Sequence, residues 1–495
     1  MLIKNEKVII GLEIHITLNT KEKVFNTNKN NLGFDTTSPL TNIDSWELGY
    51  LGDLPFLNEE VIDSAITICS IFDCDISKII TFDRKIYSYF DLPKGFQITQ
   101  EKNPIGKNGF LPVLMKGNTF KKIPISRIQI EEDTAKSHYV EGNKVYLNFE
   151  RSGNPLIEVV TEPVFDNIDE LISFAKQLRS TVIYFGVSDA KMERGQFRID
   201  LNYSFQFNNG DYKTPRFEIK NLNSFKNLKI AFNQELEKHR MNFLNNNCFD
   251  LLSSQTLGYN EITQKTFVQR KKTSYSYIQE YNIPPVYINR SYVGKDLLIL
   301  PWKLIEDFIP YSSNADNLIE NLIFLNFVNF LIKEKINYSD YLKQIPNFVL
   351  NYLNPSMREA SENSNNIGIF NLENNLNNVW KVFKFWMEGR ISKDNLKAII
   401  IEILSINDKK TSFELEKHFN FNSKKIIEYS EIEKLTEAII NDPKNEKKIW
   451  KASSNEQRFY GYMFGKLKET LGFEFDISPE MVKNVSKKYY KKTPN

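Results

Sequence analysis

The sequence predicts an α+β protein of several domains, and three observations carry that prediction. Short segments alternating apolar and polar residues dominate from Val8 to about Ile288, the period-two signature of half-buried strands. After about residue 294 helical periodicity replaces them. The chain also has 495 residues, more than one ordinary hydrophobic core organises, since domains run to roughly 100–200 residues.

Taken in order, the first strand is VIIGLEIHITL. Ile10, Leu12, Ile14, Ile16 and Leu18 alternate there with Gly11, Glu13, His15 and Thr17, so Glu13 and His15 share the face away from the core. VIDSAITICSIFDC is an apolar helical run, and RIQIEEDTAK places Glu131, Glu132 and Asp133 at a strand end. PLIEVVTEP puts Glu158 and Glu162 on one face. Asn167–Gly186 carries the helical stripe Ile168, Leu171, Ile172, Ala175 and Leu178 and ends at glycine. FRIDLNYSF buries Ile199, Leu201 and Tyr203, leaving Arg198, Asp200, Asn202 and Ser204 together. RFEIK turns Phe217 and Ile219 inward and Arg216, Glu218 and Lys220 outward. Asn223–Leu244 reads as a second amphipathic helix, and Pro284-Pro285 punctuates the end of the region. The Asn-rich stretch Glu362–Asn378 reads as linker or loop, and a last helical block begins near Ser392 and ends in the lysine-rich Lys483–Lys492. The expected domains are therefore 1–293, 294–391 and 392–495.

Bulk composition narrows the function. With 64 basic and 62 acidic residues the net charge is only +2, so a nucleic-acid surface must be a local patch. Cys69, Cys74 and Cys248 form neither a disulfide framework nor a metal-ligand spacing, which points to buried thiols in a reduced compartment. The chain opens almost directly into a strand pattern, leaving no room for a targeting peptide. The apolar run Leu322–Ile332, broken by Asn326 and Asn329, is too short to span a bilayer, and no membrane partner is expected. The compartment expected is the cytoplasm of a bacterium, or a stroma or matrix if the gene is organellar.

The outward faces are unusually rich in short acids. Carboxylates on adjacent strands, with one histidine, are what a hard divalent cation such as Mg²⁺ needs. The same pattern on any single strand fits an ordinary solvated face. No GxxxxGK[ST] loop, no G-x-G-x-x-G opening a helix and no kinase HRD/DFG set is present. Phosphate chemistry here would rest on metals held by acids. Nor is there a Gly/Ser-rich amidase signature, so the chain is not expected to release ammonia from glutamine itself.

Several motifs in order resemble the B subunits of the glutamyl/aspartyl-tRNA amidotransferases: VIIGLEIH (8–15), FDRK-x-Y-x-Y-x-DLPKGFQITQ (82–100), SRIQIEED (126–133), SGNPLIEVVTEP (152–163), GVSDAKME (186–193), RIDLN (198–202) and EIKNLNSF (218–225). YGYMFGKLK (460–468) and ISPEMVKNVSKK (477–488) resemble a YqeY-like tail. The resemblance implies an antiparallel β-sheet cradle with flanking helices, then a helical domain and an all-α tail that binds tRNA. It implies a ligase forming carbon–nitrogen bonds with glutamine as amido donor. Glu-tRNA(Gln) or Asp-tRNA(Asn) would be phosphorylated on its side-chain carboxylate with ATP and Mg²⁺, then amidated by ammonia from a partner, the amidase. A third, small protein would complete the heterotrimer.

Carried over residue by residue, the resemblance gives Glu13, His15, Glu131, Glu132, Glu158, Asp200 and Glu218 as metal ligands. Glu13, His15, Lys136 and Lys220 become the catalytic set. Arg84, Lys85, Tyr87, Tyr89, Lys94 and Asn221 become the pocket for nucleotide and aminoacyl end. Departures from the family pattern are informative too. Asn26, Asn28, Asp44 and Glu47 stand where many relatives carry zinc-binding cysteines, so no structural zinc is expected. Arg194 replaces an acid, Glu131-Glu132-Asp133-Thr134-Ala135-Lys136 lacks the glycine of the family's EEDAGK, and Ser274-Tyr275-Ser276-Tyr277 replaces an Asp-Tyr-Arg-Tyr segment. They leave open a non-catalytic, tRNA-binding scaffold as the alternative.

Overall fold

The structure is a computed structural model that describes residues 6–30, 42–140, 144–207, 212–245, 254–271, 275–288, 299–313, 315–363, 369–405, 425–471, 475–476 and 479–490. Cys248, Ser274, Lys491 and Lys492 lie outside the described residues. The chain forms two compact units, Met1–Lys343 and Gln344–Asn495. The span 294–391, expected as one helical domain, falls on both sides of that division.

The first unit is α+β and is built on a ten-stranded sheet. Its central strand β1 (Lys7–Thr17) lies between β6 (Pro155–Thr161) and β7 (Phe197–Phe207), antiparallel to both. Beyond β6 come β5 (Thr119–Glu132) and β4 (Gly106–Met115); beyond β7 come β8 (Phe217–Leu222), β9 (Gln255–Asn260) and β10 (Lys265–Lys271). The pairing is antiparallel except between β8 and β9. A small sheet of β2 (Asp83–Ile86), β3 (Phe96–Thr99) and β11 (Ser276–Gln279) adds a second wall.

The alternation read from β1 is realised: Ile10, Leu12, Ile14 and Ile16 are buried in the core, while Glu13 and His15 face the other way. Helices α1 (Glu59–Ile71), α2 (Ile168–Tyr184) and α3 (Phe225–Leu244) supply apolar cover. Asn167 caps α2 by accepting from the Glu170 amide while the Glu170 carboxylate accepts from the Asp166 amide, a reciprocal cap of the kind that fixes a helix start. The Gln177 side chain then bonds the Leu114 amide and carbonyl, both at 2.8 Å, locking α2 to β4.

In the second unit, α4 (Asn354–Asn363), α5 (Ile369–Met387) and α6 (Lys393–Ser405) pack together. This corrects the expectation of a linker at Glu362–Asn378, most of which is the first half of α5. Asparagine is a poor helix former, but Leu376, Val379, Trp380 and Phe383 are buried with Asn375 and Asn378, and packing overrides propensity. The tail helices α7 (Tyr429–Asn441), α8 (Glu456–Leu471) and α9 (Pro479–Lys487) enclose a core of their own around Ile432, Phe459, Met463 and Val485. Among the described residues no helix is long and apolar enough to cross a membrane.

Candidate active site

Strand register assembles the site. Directly opposed residues on neighbouring strands point to the same side. Glu13 faces Asp200 on β7, and His15 faces Glu158 on β6 and Arg198 on β7. One strand further out, Leu156 pairs with Glu131 and Glu158 with Gln129. On the other flank Asn202 pairs with Glu218. The β7–β8 register shifts between Ile199 and Leu201. This irregularity lets Lys220 reach Asp200, at 2.8 Å from its carboxylate.

Glu13, His15, Glu131, Leu156, Glu158, Arg198, Asp200 and Lys220 line a cavity of about 240 Å³, whose far wall is Lys85, Tyr87, Tyr89, Asp91 and Tyr275. Two groups within it could each hold a cation: His15 with Glu131 and Glu158, and Glu13 with Asp200 and Glu218, the ligand atoms of each lying within 4.8 Å of one another. His15 sits between the groups, its Nδ1 3.6 Å from Glu131 and its Nε2 3.9 Å from Asp200. His15 Nδ1 and Glu131 Oε2 are buried with no hydrogen-bond partner. Orphaned atoms of this kind aimed into an acidic cluster fit a hard cation with mixed nitrogen and oxygen ligands. Magnesium–ligand bonds of about 2.1 Å put cis ligands about 3 Å apart, so modest side-chain rotation closes either group.

The electrostatics say the same. Burial, then repulsion from Glu131, pushes the Glu158 carboxyl up to about 7. Burial alone would lower the pKa of Lys85, but Glu131 and Glu158 outweigh it and hold the ammonium firmly protonated. Lys220 behaves likewise, the attraction of Asp200 and Glu218 overriding its burial. Three of the carboxylates are also held in place by neutral or exposed donors. Gln129 donates to Glu158 at 2.6 Å, Asn202 and Arg216 each donate to Glu13 at 3.0 Å, and Thr256 donates to Glu218 at 3.0 Å.

Of the residues anticipated from sequence, Glu13, His15, Glu131, Glu158, Asp200, Lys220, Lys85, Tyr87 and Tyr89 line the cavity, and Glu218 adjoins it. Glu132 does not. It points to the opposite side of β5, where Lys94 binds it at 2.6 Å and the Ile98 amide donates at 2.8 Å. Lys94 therefore faces away from the cavity too, against Trp46. Arg84 alternates away from Lys85 on β2 and forms a forked pair with Glu280 at 2.5 and 3.0 Å. Lys136 is exposed at the start of the strand Lys136–Val140. Asn221 lies on β8 beside Lys220, its side chain outside the described residues.

Seven further residues line the cavity without having been named as site residues: Asp91, Gln97, Asp133, Thr134, Leu156, Arg198 and Tyr275. Arg198 was visible as a member of the polar face of FRIDLN. Tyr275 packs edge-on to Tyr87 at 5.3 Å and lies under the Lys85 ammonium at 5.0 Å. Ser276, on the alternate face, is exposed, as is Arg194, so neither departure lines the cavity. At the positions read from the sequence as departing from a zinc site, Glu47 pairs with the fully buried Lys23 at 3.0 Å, and the Asn28 amide donates to Asn26.

Known proteins place this arrangement. The family described as GatB/GatE catalytic domain matches residues 8–294. The B subunit of the aspartyl/glutamyl-tRNA(Asn/Gln) amidotransferase of Mycoplasma mycoides is 32% identical over 493 residues, covering 97% of this chain and 98% of the relative. The same-named proteins of Mycoplasma mobile and Borrelia turicatae are 34% and 33% identical, covering 98% and 92% of this chain and 98% and 93% of themselves. With a catalytic-domain match that takes in both acidic groups, and relatives matched along almost their whole length, the chain belongs to the GatB/GatE family.

Proposed function

We propose that this chain activates the side-chain carboxylate of glutamate or aspartate misattached to tRNA, using ATP and Mg²⁺, and passes the product to ammonia. The observation that carries this reading is the convergence of the His15 and Glu13 groups on one cavity in a chain whose relatives are named as the B subunits of tRNA amidotransferases. Membership of such an enzyme implies partner proteins; an amidase that supplies ammonia and a small third protein complete the assembly.

A carboxylate is a poor acyl donor because its leaving group would be oxide. In the first step a carboxylate oxygen attacks the γ-phosphorus of ATP, the bond to the bridging oxygen breaks, and ADP leaves. In the second, the ammonia lone pair attacks the acyl carbon, the carbon–oxygen bond to phosphate breaks, inorganic phosphate leaves, and the nitrogen sheds a proton. Bound Mg²⁺ supplies neutralisation of the phosphate charge. His15, Glu131 and Glu158 would hold one ion and Glu13, Asp200 and Glu218 a second. Lys85 and Lys220 keep fixed positive charge beside each group, so two anions can approach each other. Tyr87, Tyr275 and Leu156 narrow the cavity, limiting the water that would hydrolyse an acyl phosphate.

The test is reconstitution with the amidase and the small third protein, Glu-tRNA(Gln), ATP, Mg²⁺ and ammonium, following Gln-tRNA formation. Amide product dependent on ATP supports the reading. Bound tRNA with no product would replace it with the scaffold alternative.

A further inference from the structure

Arg198 is the cavity's cation that belongs to neither acidic group. Lys220 is bound to Asp200 and Glu218 at 2.8 and 3.2 Å, and Lys85 stands 3.9 Å from Glu131. Arg198 is anchored elsewhere. Its Nη2 donates to Asp133 Oδ2 at 2.9 Å, and Asp133 is held in turn by Arg151 at 3.4 Å. Arg151 is itself tied to backbone, donating to the Thr134 and Ala135 carbonyls at 3.0 Å each. The Arg198 side chain is only 14% exposed, its Nε has no hydrogen-bond partner, and the guanidinium makes no hydrogen bond besides the one to Asp133 among the described residues. A nearly buried guanidinium held along one edge, with donors to spare, is a preorganised partner for a planar anion.

Its position picks the anion. Arg198 faces His15 across the β1–β7 ladder, so a group bound to it lies beside the His15 group, within reach of an ion held there. We propose that Arg198, oriented by Asp133 and Arg151, forms the subsite for the acceptor side-chain carboxylate, the group that distinguishes a misacylated tRNA from its amidated product. A carboxylate matches the fork of a guanidinium; the carboxamide of the product presents an NH₂ to it in place of one oxygen and loses the charge. The subsite therefore selects substrate over product as well as holding it. This inference rests on the proposed function for the identity of its ligand.

The experiment uses the reconstituted complex and measures equilibrium binding of Glu-tRNA(Gln) and Gln-tRNA(Gln) without ATP, so it does not depend on turnover. The complex prefers the glutamyl form by about tenfold, the scale of one charge-assisted contact. Arg198→Ala brings that preference to within about twofold while keeping affinity for Gln-tRNA and for ATP with Mg²⁺, which also shows that the variant is folded. Arg198→Lys restores the preference only in part, because a point charge lacks the fork, and added guanidinium ion restores it to Arg198→Ala. An unaltered preference in Arg198→Ala overturns the proposal. So does a loss of ATP affinity with the preference kept, which makes Arg198 a phosphate contact. Failure of the broader reading shows separately, as a wild-type complex that discriminates the two tRNAs yet forms no ATP-dependent product.

Discussion

Glu131 and Glu132 are neighbours in the chain and opposites in the fold. Glu131 opens into the cavity with one oxygen lacking a hydrogen-bond partner, and Glu132 is locked behind the sheet by Lys94 at 2.6 Å. Both are buried, yet their neutralisation has different consequences. Glu131→Gln removes a charge that repels Glu158 and attracts Lys85 at 3.9 Å, so the two effects offset and the stability of the ion-free protein changes little, while Mg²⁺ binding falls. Glu132→Gln leaves the Lys94 ammonium buried without its counter-charge and lowers unfolding free energy by about 3 kcal/mol. Denaturant unfolding of both variants, with and without Mg²⁺, decides the assignment; equal losses in the two would sink it.

That pair also marks how far sequence alone reaches. Period-two alternation correctly grouped Glu13 with His15 and Arg198 with Asp200, because each strand's core face is plainly apolar. It could not admit both Glu131 and Glu132 to one site, since adjacent strand residues point apart; only motif similarity grouped them. Arg84 and Lys85 divide for the same reason. Convergence is a matter of register between strands distant in sequence, such as His15 opposite both Glu158 and Arg198. No local pattern encodes that register, and so Arg198 and Tyr275 carried no role. In the second unit, the Asn-rich half of α5 misled because its apolar positions stabilise the helix only once packed in a core beside α6.

Proton and metal compete for Glu158. Its folded pKa of about 7 lies above the ordinary carboxyl value of 4.5, so the ion-free folded protein binds a proton that the unfolded chain has released. Stability of the ion-free form therefore falls as pH rises from about 4.5 to about 7, by about 3 kcal/mol in all, and levels above that. Mg²⁺ requires the deprotonated form, so its affinity rises toward pH 7 by up to about tenfold per unit and then plateaus. Thermal melts from pH 5 to 8, with and without Mg²⁺, should diverge as pH increases. A stabilisation by Mg²⁺ that is independent of pH removes Glu158 from the ligand set.

Lys23 and Glu47 form an ion pair with side chains 0% and 2% exposed, and Glu47 is one of the four positions read from the sequence as departing from a zinc site. Burial draws the Lys23 pKa down and the Glu47 pKa up, and their mutual attraction only partly opposes it. Single changes Lys23→Met or Glu47→Leu strand a charge and should cost about 3–5 kcal/mol, whereas the double variant recovers most of that loss. A zinc chelator leaves the wild-type melting temperature where it was. A drop on chelation would show that this corner holds a metal after all.

In the tail, Lys483 and Lys487 are exposed on α9. If they meet tRNA phosphates, the double change to glutamine weakens binding to every tRNA alike and reduces the slope of log affinity against log salt by about 1–2. Filter binding across a salt series reads both numbers. An unchanged slope would move the tRNA contact elsewhere.

Glu13 offers the sharpest separation of chemistry from binding. It is half-buried, and its Oε1 accepts from Asn202 and Arg216 at 3.0 Å while facing Asp200 across the ladder. Glu13→Ala removes one anion from a group that still contains Asp200, Glu218 and Lys220, so the group becomes less negative and a cation is held less well. Arg216 is more than half exposed and stays solvated, so little stability is lost. The expected outcome is amidation reduced by at least about a hundredfold, the scale of losing an electrostatic group in a transition state, with tRNA affinity within a few-fold of wild type. Raised Mg²⁺ should recover part of the rate, because the defect is in holding the ion. Full activity at ordinary Mg²⁺ would take Glu13 out of the mechanism and leave the His15 group as the sole cation site.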